Sequence, residues 1–425
     1  MLTLKIEPAD ALIDVEREFT VFGAQPGAQV EISATTVRYG VRWASYAIYI
    51  ADDKGEVHVG QQVPLEGSTY ECADAMGLIW SQVPQVDGAR HLFNLSVFDA
   101  IVTSVSVSSL GQGSTTTLTQ RLAADGVKRV EVDENGLVGV LYLPATEGPH
   151  PAIMVLNGSG GGMNEARAAL YASRGYAALA LGYFKTPGRS DYISNTELEY
   201  FLQGMQWLRE HVPVKNDFVA VSGQSRGGEL ALLLGSLFPQ EVSAVIAYVP
   251  SAFVHSAQNA ADPAVGREGP TWLYNGKPLP HIWENNRYAS WAPFDEGEPP
   301  YRHELAMLTA LEDKEAIEPA RIRVEKINGP VMLLSATDDG SWPSSLYCQM
   351  IVDRLQARHF KHDVDWLDVK DAGHAILFPY VPTTQTIYSH PVSKKISTGG
   401  GEPAANAKAD LWSWQRVLAF LEKAV

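Results

Sequence analysis

The stretch FVAVSGQSRGGELALLLGSL, residues 218–237, decides the fold. Its first four residues are an unbroken apolar run, as a strand covered on both faces requires. Its last part sets Leu230, Leu233, Leu234 and Leu237 on one helical face. Between them, Gly223-x-Ser225-x-Gly227 fits a nucleophile elbow, the tight strand-to-helix turn that lifts a serine above a sheet. Glycines are required there because a Cβ would crowd the turn against neighbouring chain. The pattern alone arises by chance about a few tenths of a time in a chain of this composition, so the flanking strand and helix carry the reading.

The same texture extends on both sides. AIMVL (152–156) reads as a buried strand followed by Asn157 and the glycine loop GSGGG (158–162). A helix is predicted from Asn164 to Arg174, closed by Gly175. YAALALGYF (176–184) is the next strand, and Thr196 with Glu199 forms a capping-box pattern ahead of Leu198, Phe201, Leu202, Met205 and Leu208. AVIAYV (244–249), VMLLSA (331–336) and a run at 364–369 are further strands. Such alternation predicts an α/β domain with a mostly parallel sheet covered on both faces. Residues 251–320, rich in Pro, Trp and Tyr, break the rhythm and read as a cap-like insertion that shapes a substrate pocket.

Upstream, the period is two. Phe93, Leu95 and Val97, then Ile101, Thr103, Val105 and Val107, read as strands, and Asp52-Asp53-Lys54-Gly55 as a hairpin turn. Short strands without a helical stripe predict an all-β sandwich. The polar, glycine-dotted SSLGQGSTTTLTQ (108–120) reads as the connection. The expected division is a β-sandwich at 1–115, a linker at 116–126 and a catalytic domain at 127–425.

A serine hydroxyl is a weak nucleophile until a base takes its proton. The chain supplies candidates in the order this fold uses: Asp338 and Asp339 after VMLLSA, with Asp339 favoured, and His374 in DAGH after the last strand. The oxyanion of a tetrahedral intermediate needs main-chain donors, expected from Arg226 and from Ser159 or Gly160 in the glycine loop. That loop lacks the Lys-Ser/Thr ending of a phosphate-binding loop and the spacing of a dinucleotide fingerprint. The side chains of Arg226 and Glu229 read as solvated first-turn charges, and His255, His281, His362 and His390 lack the placement of a base.

Composition sets the outer bounds. The 425 residues favour two domains. No apolar run approaches the length of a membrane span, and the N-terminus has no secretory pattern. Cys72 and Cys348 give neither a disulfide framework nor metal spacing and read as small buried apolar residues, so a reducing cytoplasm is the expected compartment. A net charge of −16 argues against nucleic-acid or anionic-lipid partners and offers a polyanion no global attraction. No cofactor or metal is expected; the partner is a small acyl substrate.

Several stretches together resemble the two-domain acyl-CoA thioesterase and bile acid-CoA:amino acid N-acyltransferase family. They are GAQPGAQVEI, DDKGEVHV and GSTYECADAMGLIWSQVP, then VSGQSRGGELAL, DAGHAILFPY and GGGEPAANAKADLWSWQRVLAFL. MGLIWS and the glycine-rich stretch before a Trp-containing helix are not general hydrolase features. The resemblance implies an immunoglobulin-like sandwich ahead of an α/β-hydrolase domain, with Ser225, Asp339 and His374 as the catalytic residues. It also implies that serine at the elbow favours hydrolysis of an acyl-CoA, whereas cysteine goes with transfer to an amine. GQSRGG departs from the family's Gly-x-Ser-Lys/Leu-Gly-Ala style, and Asn157 stands where an apolar residue is commoner. Both departures lie at the acyl carbon, so a carboxylesterase, lactonase or acyltransferase of a specialised metabolite is the alternative. Trp80 is expected to pack between the domains.

Overall fold

A computed structural model describes all 425 residues. The chain forms two compact units: Met1–Ala124 with Leu377–Thr386 and Glu402–Leu411, and Asp125–Ile376 with Ile387–Gly401 and Trp412–Val425. No helix is long and apolar enough to cross a membrane.

The first unit is mostly β, with the short helix α1 (Gly77–Trp80) and the first turns of the terminal helix, residues 403–411. Its strands are β1 (Thr3–Glu7), β2 (Asp10–Leu12), β3 (Glu18–Phe22), β4 (Gln29–Arg38), β5 (Val41–Ile50), β6 (Val57–His58), β7 (Val83–Pro84), β8 (Ile101–Ser109) and β9 (Gln112–Arg121). They form a three-stranded sheet, β1-β3-β6, and a six-stranded sheet, β2-β9-β8-β4-β5-β7. Burial alternates along β4 and β8, as period two demands. Leu4, Ile6 and Val21 from one sheet meet Val30, Ile32, Tyr49 and Val105 from the other in a single core, which makes the unit a sandwich.

The structure departs from expectation at residues 108–120, 93–97 and 52–55, and at Trp80 and Cys72. Residues 108–120 are no linker: they end β8 and form most of β9, where Thr115 and Thr117 are exposed while Leu118 and Gln120 are buried. Phe93 to Val97 form turns rather than a strand, and Leu95 is exposed. Asp52–Gly55 does turn, with the Asp52 carboxylate accepting from the Lys54 and Glu56 N–H groups, but β5 and β6 on either side belong to different sheets. Trp80 is buried in the core of this unit, its Nε1 donating to Asp74 at 3.0 Å. Cys72 is only half-buried, whereas Cys348 of the second unit is fully buried.

The second unit is built on eight strands: β10 (Lys128–Glu134), β11 (Leu137–Leu143), β12 (His150–Leu156), β13 (Ala177–Gly182), then, past the two-residue β14 (Thr196–Glu197), β15 (Val214–Gln224), β16 (Ala244–Tyr248) and, past β17 (Trp272–Tyr274) and β18 (Lys277–Pro278), β19 (Val331–Ala336) and β20 (Val364–Val369). Their order is β10-β11-β13-β12-β15-β16-β19-β20, antiparallel for the first two pairings and parallel thereafter. Together with its helices this is the α/β-hydrolase fold. The helices α2 (Glu165–Ser173), α3 (Glu199–His211) and α4 (Arg226–Leu237) connect these strands. Further on come the short α5 (Ala292–Asp295), α6 (Glu304–Ala310) and α7 (Lys314–Ile317), then α8 (Ser344–Ala357) and the terminal α9 (Pro403–Ala424). The central strands are buried at every position, in keeping with their continuous apolar runs.

Asn164 caps α2 by accepting from Arg167 N–H, and Gly175 follows it at φ +96°. The capping box at Thr196 and Glu199 does not form. Thr196 is in β14 with its hydroxyl on the Ile193 carbonyl, and Glu199 accepts from Asn275 N–H. From β12 the chain first steps to β13 on one side, then to β15 on the other. That reversal leaves a crevice at the carboxyl ends of β12 and β15, the position where open α/β sheets bind ligands.

Candidate active site

Ser225 stands in that crevice between β15 and α4, at φ 60° and ψ −120°. A non-glycine residue so placed costs about 1–3 kcal/mol and persists only where its surroundings over-determine it. The surroundings do so. A Cβ on Gly223 would lie 1.9 Å from the Gly227 carbonyl oxygen, and one on Gly227 would lie 2.6 Å from that of Asn157. Ser225 N–H is tied to the Tyr248 carbonyl at 2.8 Å, and its own carbonyl accepts from Gly228 and Glu229.

Loops after β19 and β20 bring the other two side chains to it. His374 Nε2 lies 2.7 Å from Ser225 Oγ, and His374 Nδ1 lies 2.9 Å from both carboxylate oxygens of Asp339. Nδ1–H therefore donates to Asp339, leaving Nε2 to accept from the serine hydroxyl. Asp339 is buried and also accepts from the Ser341 and Trp342 N–H groups. Its neighbour Asp338 points elsewhere, to Arg302 and the Gly401 N–H.

A third segment holds these loops together, and sequence reasoning assigned it no role at the site. The Gly399 carbonyl accepts from both His374 N–H (2.8 Å) and Gly340 N–H (3.0 Å). A Cβ on Gly373 would fall 2.2 Å from the Gly400 carbonyl oxygen, and one on Gly400 would fall 1.9 Å from that of Asp338. Residues 399–401 thus run between the acid and histidine loops at a separation only glycine allows. The signal was the run Gly399-Gly400-Gly401 itself.

On the opposite side, Gly158 faces the serine. A Cβ there would lie 3.2 Å from Ser225 Cβ and 3.7 Å from its Oγ. The N–H groups of Arg226, Ser159 and Gly160 have no acceptor within the protein. Ser159 Oγ is 3.2 Å from His390 Nε2.

The side chains of Arg226 and Glu229 are not solvated, contrary to expectation. They are 2% and 0% exposed and form an ion pair at 3.0 Å. Residues 255–272 close over them: Arg226 donates to the Ser256 carbonyl at 2.8 Å, and Glu229 accepts from Trp272 Nε1 at 2.8 Å. Burial raises the Glu229 pKa, opposed chiefly by the Arg226 charge. Burial, then the charge of Arg226, holds buried His255 well below its usual value, and His281 down to about 4. His362 takes no part in these contacts.

A metal has no ligand set at this site beyond His374 and Asp339, which already face each other. In the first unit Asp52, Glu56 and His58 bring possible ligand atoms within 4.8 Å of one another, but Asp52 serves there as the turn acceptor.

Residues 196–425 match the family model for the BAAT / acyl-CoA thioester hydrolase C terminal, and residues 14–134 match that for the acyl-CoA thioester hydrolase/BAAT N-terminal region. Mitochondrial acyl-coenzyme A thioesterase 2 of Mus musculus is 30% identical to this chain, covering 99% of it and 89% of the mouse protein. The peroxisomal succinyl-coenzyme A thioesterase of Mus musculus is 28% identical, covering 99% of this chain and 96% of that one. A solved α/β-hydrolase enzyme from a Medee basin deep-sea metagenome library overlaps 71% of this chain and 99% of its own, at 15% identity and a TM-score of 0.41.

Proposed function

The chain belongs to the acyl-CoA thioester hydrolase/BAAT family of enzymes, and from that premise we propose that it hydrolyses an acyl-CoA through an acyl-Ser225 intermediate. The observation that carries this reading is the unbroken line Ser225 Oγ, His374, Asp339. His374 Nε2 takes the hydroxyl proton as Oγ attacks the thioester carbonyl carbon. Asp339 holds the imidazole tautomer and stabilises the imidazolium. The oxyanion accepts from the Arg226 N–H and from Ser159 or Gly160. The C–S bond then breaks, and the leaving thiolate takes the proton from His374. Water next attacks the acyl-serine with His374 as base, and the acid leaves as Oγ recovers its proton. An oxyester on serine is more readily handed to activated water than a thioester on cysteine, which favours hydrolysis over transfer.

Ser225→Ala should abolish turnover of acyl-CoA, and intact-mass measurement of the quenched wild type should find one acyl group on Ser225. Full turnover by the variant overturns the reading. The net charge of −16 favours a second reading, an oxygen ester or lactone as substrate. A large preference for the ester in matched acyl-CoA and ester series would select it, and product analysis with added amines would reveal an acyltransferase. The cytoplasm is the compartment proposed, on the strength of two free cysteines.

A further inference from the structure

The hairpin of β21 (Ile387–Ser389) and β22 (Ile396–Thr398) carries its tip, residues 390–395, against the glycine loop after β12. A Cβ on Gly160 would lie 3.5 Å from Pro391, and one on Gly161 would lie 2.7 Å from Lys185 Cβ. His390 Nδ1 accepts from the Val392 and Ser393 N–H groups, so its Nε2–H donates to Ser159 Oγ. The rim of the Ser225 crevice is therefore made partly of this tip and of Lys185.

Two lysines are fixed there. Lys394 donates its N–H to the His390 carbonyl and accepts from Ser389 Oγ, while Lys185 N–H is held by the Ser190 carbonyl. Both have left-handed backbones, φ 61° and 53°, a conformation costing about 1–2 kcal/mol each for a residue with a Cβ. Their ammonium groups converge on one acceptor, the Pro391 carbonyl oxygen, at 2.7 and 3.0 Å. Neither is ion-paired with a carboxylate. Asp191 acts on Lys185 only from a distance, whereas the adjacent Lys395 is paired with Asp295 at 3.1 Å. Burial and the charge of Lys394 both work against the charge on Lys185.

Two like charges about 4 Å apart repel by roughly 1 kcal/mol in water and about 4 kcal/mol at a protein surface. A chain with 49 acidic and 33 basic residues has carboxylates to spare, yet none neutralises this pair. We propose that Lys185 and Lys394 form an anion subsite at the rim of the crevice that takes a phosphate group from the nucleotide end of a coenzyme A leaving group. This assignment rests on the thioester reading above. It places local positive charge where a globally acidic protein would otherwise repel its substrate.

The test is calorimetric binding of coenzyme A, dephospho-coenzyme A and pantetheine to the full chain, with acyl-CoA turnover measured alongside. K185Q/K394Q should raise the Kd for coenzyme A about ten-fold or more, as loss of charge-assisted contacts does. K185R/K394R should retain binding, and pantetheine, which has no phosphate, should not discriminate between the proteins. Lysine dependence that disappears with dephospho-coenzyme A assigns the 3′-phosphate; dependence that persists assigns the diphosphate. The proposal fails if K185Q/K394Q binds coenzyme A like the wild type, or if K361Q/K423Q, at the far end of β20, weakens binding equally. Lysine-dependent binding without turnover would leave the subsite standing and remove the thioesterase reading; turnover with lysine-independent binding would do the reverse.

Discussion

The hairpin tips of the sandwich and the carboxyl ends of the hydrolase sheet both depend on glycine, for opposite reasons. Gly40 and Gly111 turn β4 into β5 and β8 into β9 at φ +77° and +78°, each with nothing within 4 Å of a would-be Cβ. They supply conformation, and space is plentiful. Gly223 and Gly373, beside Ser225 and His374, keep φ values open to any residue, but a Cβ on either would strike a carbonyl oxygen at about 2 Å. They supply space. Folding needs the first kind, whereas bringing reactive side chains from three separate loops to one point needs the second.

The contrast can be broken by experiment. The largest effect is expected beside the elbow, where crowding leaves no solvent for charge. Glu229→Leu strands the Arg226 guanidinium and should cost about 3–5 kcal/mol, read from urea unfolding; a loss below about 1 kcal/mol would mean that water reaches the pair. Gly373→Ala must push the histidine loop off residues 399–401. On the proposed mechanism it should lower kcat at least about 100-fold, since an ångström of misplacement costs that much, with KM little changed. Unaltered kcat would show that the clamp does not position His374.

A pH series comes next. His281 titrates near 4 in the fold against 6.5 when free. The unfolded chain therefore binds more protons between these values, and stability falls as pH drops from about 6.5 to about 4. His281→Gln should flatten that slope in thermal melts, and an unchanged slope would assign it to other groups. The smallest effect belongs to the open turns. Gly40→Ala should cost about 1 kcal/mol through φ alone and leave turnover intact, whereas a loss comparable to Gly373→Ala would erase the distinction.

What could be read without coordinates follows the same division. The elbow was legible because its glycines, strand and helix lie in one continuous stretch, residues 214–237. The order of the acid and histidine loops was legible from the alternation of strands. Burial of Arg226 and Glu229 was not, because the segment that covers them lies some thirty to forty residues downstream. Nor was β9, whose threonines present a polar face that reads as connecting chain. The role of Gly399–Gly401 depends on two loops that meet only in the folded chain.

The first unit does not end where its strands end. Residues 377–386 return to it, with Thr383 bonded to the Trp80 carbonyl and Tyr380 to Gln120, and residues 402–411 return again. During synthesis the sandwich can therefore acquire its last pieces only after nearly the whole chain has left the ribosome. A gene cut after Ala124 would encode the first unit without two of its segments and would leave those segments as foreign chain on the second. Attempts to exchange sandwiches between relatives have to carry these two returning segments along.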